Sequence, residues 1–195
     1  MNIVFDILQG LGLAAAAGLR PFLPALLAGG LAAANLGLDF DGTAFSFLES
    51  PVWLAVLAVA LVVSVVARPL LEDGPGEAVL SGVGIGLGAL LCAASIDDRH
   101  DTWWYGLILG VVVAWLASAV ARGLLGRVRE RFKAAGDKQA AAALPLYGEA
   151  AALVVAGASI LLPPLSIVAV GFLIALLVAG RRRSQSKYAG LRILR

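Results

Sequence analysis

Apolar residues run along this chain in long, nearly uninterrupted blocks. Seven can be drawn: Ile3–Leu19, Pro21–Gly37, Pro51–Leu71, Glu77–Ile96, Trp103–Gly126, Ala143–Leu162 and Pro164–Gly180. Several meet or approach the roughly 20 apolar residues that a helix needs to cross a bilayer. A soluble reading would require helices that are hydrophobic on every face, with almost no solvated surface. Proline opens three of the blocks, at Pro21, Pro51 and Pro164, where a first helical turn has no use for the missing N–H. The pattern therefore predicts an all-α polytopic membrane protein of about seven transmembrane helices. They form one domain over 1–180, followed by a basic tail over 181–195.

Two blocks admit a second drawing. Ile3–Gly37 is interrupted by Arg20-Pro21, and Ala143–Gly180 by Pro163-Pro164. Their half-segments of about 17–20 residues lie near the lower limit for a span. The alternative is five or six spans with re-entrant hairpins at 3–37, at 143–180, or at both. Interrupted segments in the two halves of a chain are a pointer to transporter sites. Helices one to three and four to six start on opposite sides, so the count permits an inverted three-helix repeat. No residue-level match between the halves supports it.

Composition moves the same way. The chain is 61% hydrophobic and 14% charged, with mean hydropathy +0.93 and 23 glycines. Soluble domains average roughly 45–50% apolar and about 25% charged residues. A single cysteine, Cys92, excludes an intrachain disulfide and reads as a small packing residue. The start, Met1 to Asp6, lacks a basic region, so the first block reads as a retained helix.

The net charge of +2 points to no nucleic-acid partner, but the placement of the charges is informative. Arg127, Arg129, Arg131, Lys133 and Lys138 form one basic cluster, and Arg181, Arg182, Arg183, Lys187, Arg192 and Arg195 another. Two spans separate them, so both can lie on the cytoplasmic side, where Lys and Arg accumulate. Counting backwards puts Leu38–Ser50, with Asp39, Asp41 and Glu49 but no Lys or Arg, on the outside. The expected topology in a bacterial inner membrane is N-terminus out and C-terminus in. Both clusters, notably Arg127, Arg129, Arg131, Lys133 and Arg181–Arg183, should attract anionic headgroups at roughly 1 kcal/mol per basic residue. Trp103, Trp104 and Tyr105 read as an interfacial belt.

Small residues at four-residue spacing mark helix contacts, since close backbone approach replaces hydrophobic drive in lipid. The stripes are Gly10/Ala14/Gly18, Ala25/Gly29/Ala33, Gly106/Gly110/Ala114/Ser118 and Gly171/Ala175/Ala179. In the fourth block Gly82 and Gly86 share one face, and Gly84 and Gly88 the other. That predicts a central helix with neighbours on both sides. These glycines do not make a dinucleotide site, because Leu87 occupies the third Gly position of the fingerprint. The stripes suit a homo-oligomer and intramolecular packing equally.

Ionisable groups at membrane depth are the candidates for chemistry. Arg20 precedes Pro21 and reads either as a snorkelling side chain or as a fixed positive fork for an anion such as phosphate. Glu149 lies about seven residues into the sixth block and reads as a structural acid or a coupling carboxylate paired with Arg20, Arg68 or Arg122. Asp97, Asp98, His100 and Asp101 are weak metal candidates and fit an ordinary polar turn better. No cofactor motif and no Ser-His-Asp set is present, so an enzyme is the weaker reading.

Three stretches carry a resemblance. Gly12–Leu27 (GLAAAAGLRPFLPALL), Leu144–Glu149 (LPLYGE) and Lys187–Arg195 (KYAGLRILR) resemble the DUF4126 family of bacterial integral membrane proteins. That resemblance implies a membrane protein and carries over no catalytic residue, though Arg20 and Glu149 stand inside it. The leading expectation is a small transporter or channel for an anion or a phosphate-bearing lipid. Two others stay open: a membrane scaffold with basic cytoplasmic segments, and a membrane-embedded lipid enzyme.

Overall fold

The computed structural model describes residues 3–67, 75–97, 103–135 and 138–189. Among them are seven α-helices, one short 3₁₀ turn over Ser46–Glu49 and no strand. The helices are α1 (Ile3–Leu19), α2 (Phe22–Ala33), α3 (Pro51–Val66), α4 (Pro75–Asp97), α5 (Trp103–Ala135), α6 (Lys138–Leu161) and α7 (Leu165–Ala189). The fold is an all-α, polytopic, membrane-type bundle. Within it Pro75–Asp97, Trp103–Phe132 and Ala143–Leu161 are long and apolar enough to cross a membrane.

The second block is the largest departure from the predicted spans. Helix α2 has 12 residues, about 18 Å at 1.5 Å per residue, against a hydrocarbon core of about 30 Å. It ends early for a local reason. Asn35 adopts φ +53°, and its N–H donates to Ala32 O while the Leu36 N–H reaches back to Leu31 O. That paired closure is the Schellman end of a helix, which Asn tolerates in the left-handed region. The chain then folds back inward. Phe40 is fully buried, with Leu38, Phe45 and Leu48 beside it in the core. Gln9 Nε2 donates to Gly37 O at 3.0 Å, the Ala44 N–H to Asp97 Oδ2 at 3.1 Å, and Phe45 meets Trp103 edge to face. The expected outer loop is thus a packed cap, and the N-terminal pair is one helix plus a half-length helix. The 143–180 pair consists instead of two extended helices joined at Pro163-Pro164.

The central helix is α1, not α4 as the glycine pattern predicts. Residues 12 to 18 of α1 are all buried, and α1 packs against α2, α4, α5, α6 and α7. Four consecutive alanines, Ala14–Ala17, let neighbours approach from every direction. A Cβ built on Gly18 would lie 2.3 Å from Ala114 O, and one on Gly110 would lie 2.7 Å from Ala89 Cα. A Cβ on Gly84 would lie 2.8 Å from Ala17 O of α1, and one on Gly88 3.0 Å from Ala14 O of α1 and 2.7 Å from Ala114 Cβ of α5. Gly82 and Gly86 differ: nothing would meet a Cβ there within 4 Å, because that face of α4 turns away from α1 and α5. The α7 stripe is likewise exposed at Gly171, Ala175 and Ala179. Cys92 is buried where Gly10 and Gly110 close on it.

At the other end the described parts of both basic clusters lie in helices, and Arg192 and Arg195 lie outside the described residues. Helix α5 continues through Arg127, Arg129 and Arg131 to Ala135, and α7 continues past residue 181, so the predicted tail boundary falls inside a helix. Arg68, Asp98, Arg99, His100 and Asp101 lie outside the described residues.

The cap also sets an expected pH response. The Glu49 carboxyl accepts from the Phe40 N–H at 3.4 Å. Partial burial first, and then the neighbouring Asp41 carboxyl, push its pKa above the ordinary value. A raised folded pKa means the folded cap favours the protonated acid. Its contribution is complete below the unfolded pKa and is lost as pH rises through the folded one. Glu49→Gln should therefore flatten the pH dependence of amide exchange at residues 40–49 as pH rises through and above the ordinary carboxylate range. A Gln variant with the wild-type pH profile would contradict this.

Candidate functional site

At the end of the bundle that carries the basic extension of α5, the helices part around a cavity of about 390 Å³. Its walls come from the end of α1, the Arg20-Pro21 break, the first turns of α4, the lower half of α5 and Leu144-Pro145 of α6. Gly18 and Ser118 are buried at its inner end, while Arg122 and Glu130 are exposed at its mouth. Arg20, Arg122 and Arg129 line it together with Glu77, Glu130, Ser81 and Ser118.

Each of these placements has a local cause. Pro21 lacks the N–H to continue α1, so the chain turns just after the Arg20 N–H closes on Ala16 O at 3.0 Å. The turn puts the Arg20 side chain at the junction of α1, α2 and α6. On α5, Ser118, Arg122, Leu125 and Arg129 recur every three or four residues and so share one face. Arg122 Nε donates to Ser118 O of its own helix at 3.4 Å. On α4, Glu77 and Ser81 are one turn apart, with Glu77 in the first turn where the helix dipole favours an acid. Pro145 lies inside α6, where it removes one backbone hydrogen bond and brings an irregular wall to the cavity.

Beside the cavity, Arg20 Nε lies 3.8 Å from Glu149 Oε1, with 13% and 17% of the two side chains exposed. Gly148 makes room for this pair, since a Cβ there would stand 3.0 Å from Arg20 Nε. Glu149 is about three turns into α6 rather than near its start, because the helix already begins at Lys138. Two sequence candidates, Arg20 and Arg122, therefore line one cavity, and the third, Glu149, backs it through Arg20. Among the described residues no group of three or more His, Cys, Asp or Glu could hold a metal. Asp97 instead accepts from the cap.

Residues 7–183 match the profile of DUF4126, a domain of unknown function. The chain belongs to the DUF4126 family. No curated protein and no solved structure matches it. The DUF4126 chain thus adds a family and leaves the chemistry to the geometry. In that geometry Arg129, Glu130, Glu77, Ser81 and Ser118 are liners that the sequence reading did not single out as a site. For Ser118 and Arg129 the signal is the three-to-four spacing that runs from Ser118 to Arg129, past the end of the apolar block at Gly126. A second buried polar set went unmarked as well. Asp6, Gln9, Ser159 and Ser166 are buried towards the capped end, where Gly12 brings α1 against α6 and α7.

Proposed function

We propose that this DUF4126 protein is a small transporter that takes up a phosphate-bearing anion in the cavity at Arg20, Arg122 and Arg129. The supporting observation is that three arginines from two separate elements line one cavity at the basic end of an otherwise apolar bundle. Guanidinium forks match phosphate geometry and stay charged in a partly dry site. The carboxylates Glu77 and Glu130 temper that charge, leaving one net positive charge on the lining (three Arg less two Glu).

Placed in an inner membrane with its basic end in the cytoplasm, the cavity faces inward and the cap closes the outer end. Helix α5 supports that depth. Ser118 is 15 residues beyond Trp103, about 22 Å along the helix, and Arg122 about 28 Å, near the far limit of the hydrocarbon. The basic extensions at Arg127–Lys133 and Arg181–Arg183 would then meet anionic headgroups. The densely packed α1, α4 and α5 favour a second reading, a solid scaffold with no transport at all.

Purified protein in liposomes separates these readings. Uptake of inorganic phosphate, and in a second arm transbilayer movement of a short-chain phosphatidic acid, should exceed protein-free vesicles. Arg20→Ala or Arg122→Ala should lower the active arm by about tenfold or more, as expected for loss of a charged hydrogen bond. Activity in neither arm, or equal activity in both variants, would count against transport through this cavity.

A further inference from the structure

Arg20 has two neighbourhoods, and they differ. On one side it lines the cavity, with Gly18, Ser118 and Arg122. On the other its Nε lies 3.8 Å from Glu149 Oε1, and Glu149 is not part of the cavity wall. The guanidinium is thus shared between the space where an anion would sit and a resident carboxylate. Gly148 is what lets it lean that way: a Cβ at that position would stand 3.0 Å from Nε and 3.4 Å from Nη2.

From this arrangement, and resting on the anion-binding reading above, we infer that Glu149 is a built-in competitor for Arg20. It neutralises the arginine when the cavity is empty and sets a ceiling on anion affinity when it is filled. The physical reason is the cost of a lone cation in a low-dielectric wall. An empty site with an unneutralised Arg20 would be expensive to keep inside a bundle. A site in which the ligand alone satisfied Arg20 would bind tightly and release slowly. A nearby carboxylate removes both problems, because repulsion between Glu149 and the anion opposes the pull of Arg20. The residue that performs this sits on α6 one turn beyond Pro145, which is itself a wall of the cavity. Displacement of the Leu144–Pro145 wall by a bound anion would therefore act on the same short segment that carries the counter-charge.

The sign of the prediction separates this role from a structural one. Glu149→Gln keeps the shape and an acceptor oxygen but removes the charge. It should bind inorganic phosphate about tenfold more tightly than wild type in detergent micelles, an interaction of the size expected for charges several ångströms apart at intermediate dielectric. Gly148→Ala crowds Arg20 away from its seat without touching the charge, and should also tighten binding, by less. In Arg20→Ala/Glu149→Gln the gain should vanish, because it acts through Arg20. A short-chain phosphatidic acid in a parallel titration tells a lipid headgroup from free phosphate by which arm responds. A folded Glu149→Gln protein that binds as wild type does, or more weakly, overturns the inference and leaves the anion site standing. Binding in neither arm by wild type, Glu149→Gln or Gly148→Ala overturns both.

Discussion

Gly18→Val is expected to abolish or nearly abolish the folded bundle, whereas Gly82→Ala leaves it intact. At Gly18 a Cβ would collide with backbone, 2.3 Å from Ala114 O and 2.7 Å from Ala114 Cα. No side-chain rotamer can relieve such a contact, so α1 and α5 must separate. Overpacking of a core ordinarily costs about 1–3 kcal/mol, and a backbone collision falls at or beyond the upper end. The cost spreads further here, because α1 is the helix that most of the others share. In lipid the loss is not offset by any hydrophobic drive between helices, since association depends on close approach itself. At Gly82 nothing lies within 4 Å, so the added methyl meets no protein atom. There the smaller backbone entropy of alanine should leave stability unchanged or raised by roughly 0.5–1 kcal/mol. Thermal unfolding and gel filtration in detergent would read both variants. A monodisperse Gly18→Val protein with wild-type melting, or a collapsed Gly82→Ala protein, would contradict this packing.

Phe40→Ala should open the cap. Phe40 is the largest completely buried side chain among the described residues, and it belongs to a segment with no regular helix to hold it. Truncating a buried phenylalanine costs about 3–5 kcal/mol. The remaining anchors are Leu38, Phe45 and Leu48, which share the cluster of Phe40, with Gln9 on the Gly37 carbonyl, Asp97 on the Ala44 amide and the Phe45–Trp103 edge contact. The polar and edge contacts contribute on the order of 1 kcal/mol each, so the loss of Phe40 outweighs any one of them and lets the segment open. The expected result is local: amide exchange and proteolysis rise across residues 37–49, while α1, α4 and α5 stay protected. Phe47→Ala is the control, because Phe47 is 41% exposed and its loss should cost far less. Equal effects at the two positions would show that burial of Phe40 is not what seats the cap. Under the transport reading, an opened cap is also an opened outer end, so the same variant should raise phosphate leak from loaded liposomes.

The fold class and the helix order were legible because long apolar blocks admit few solutions in lipid. The break at Arg20-Pro21, the start of α3 at Pro51 and the turn at Pro163-Pro164 were legible for a similar reason. Proline leaves no choice about where a backbone donor is missing. The structure adds a cap at the start of α3, with Ser50 Oγ accepting from the Trp53 N–H at 3.3 Å. The end of α2 was legible in principle, in Asn35 and Gly37, yet the apolar run up to Gly37 concealed it. Hydropathy weighs composition and is blind to a left-handed residue.

Which glycines pack was not legible. Gly82, Gly84, Gly86 and Gly88 are identical in sequence terms, and only the docking of α1 and α5 on one face of α4 tells them apart. The sequence offered Arg20, Arg68 and Arg122 as partners of Glu149; that Arg20 stands beside it depended on α6 returning to the α1–α2 break, over 129 positions of chain. The cavity liners on α5 needed the helix to continue past Gly126, where the falling hydropathy suggests an end.

What the sequence by itself determined is that the apolar blocks must be helical and that the chain must bend at Arg20-Pro21 and Pro163-Pro164, because backbone hydrogen bonding and proline geometry are local. What only the tertiary structure decided is which helix stands in the middle, which small residues touch, and which charges meet. Those depend on the relative rotation of whole helices, and in apolar surroundings that rotation is set by shape complementarity summed over all of their neighbours.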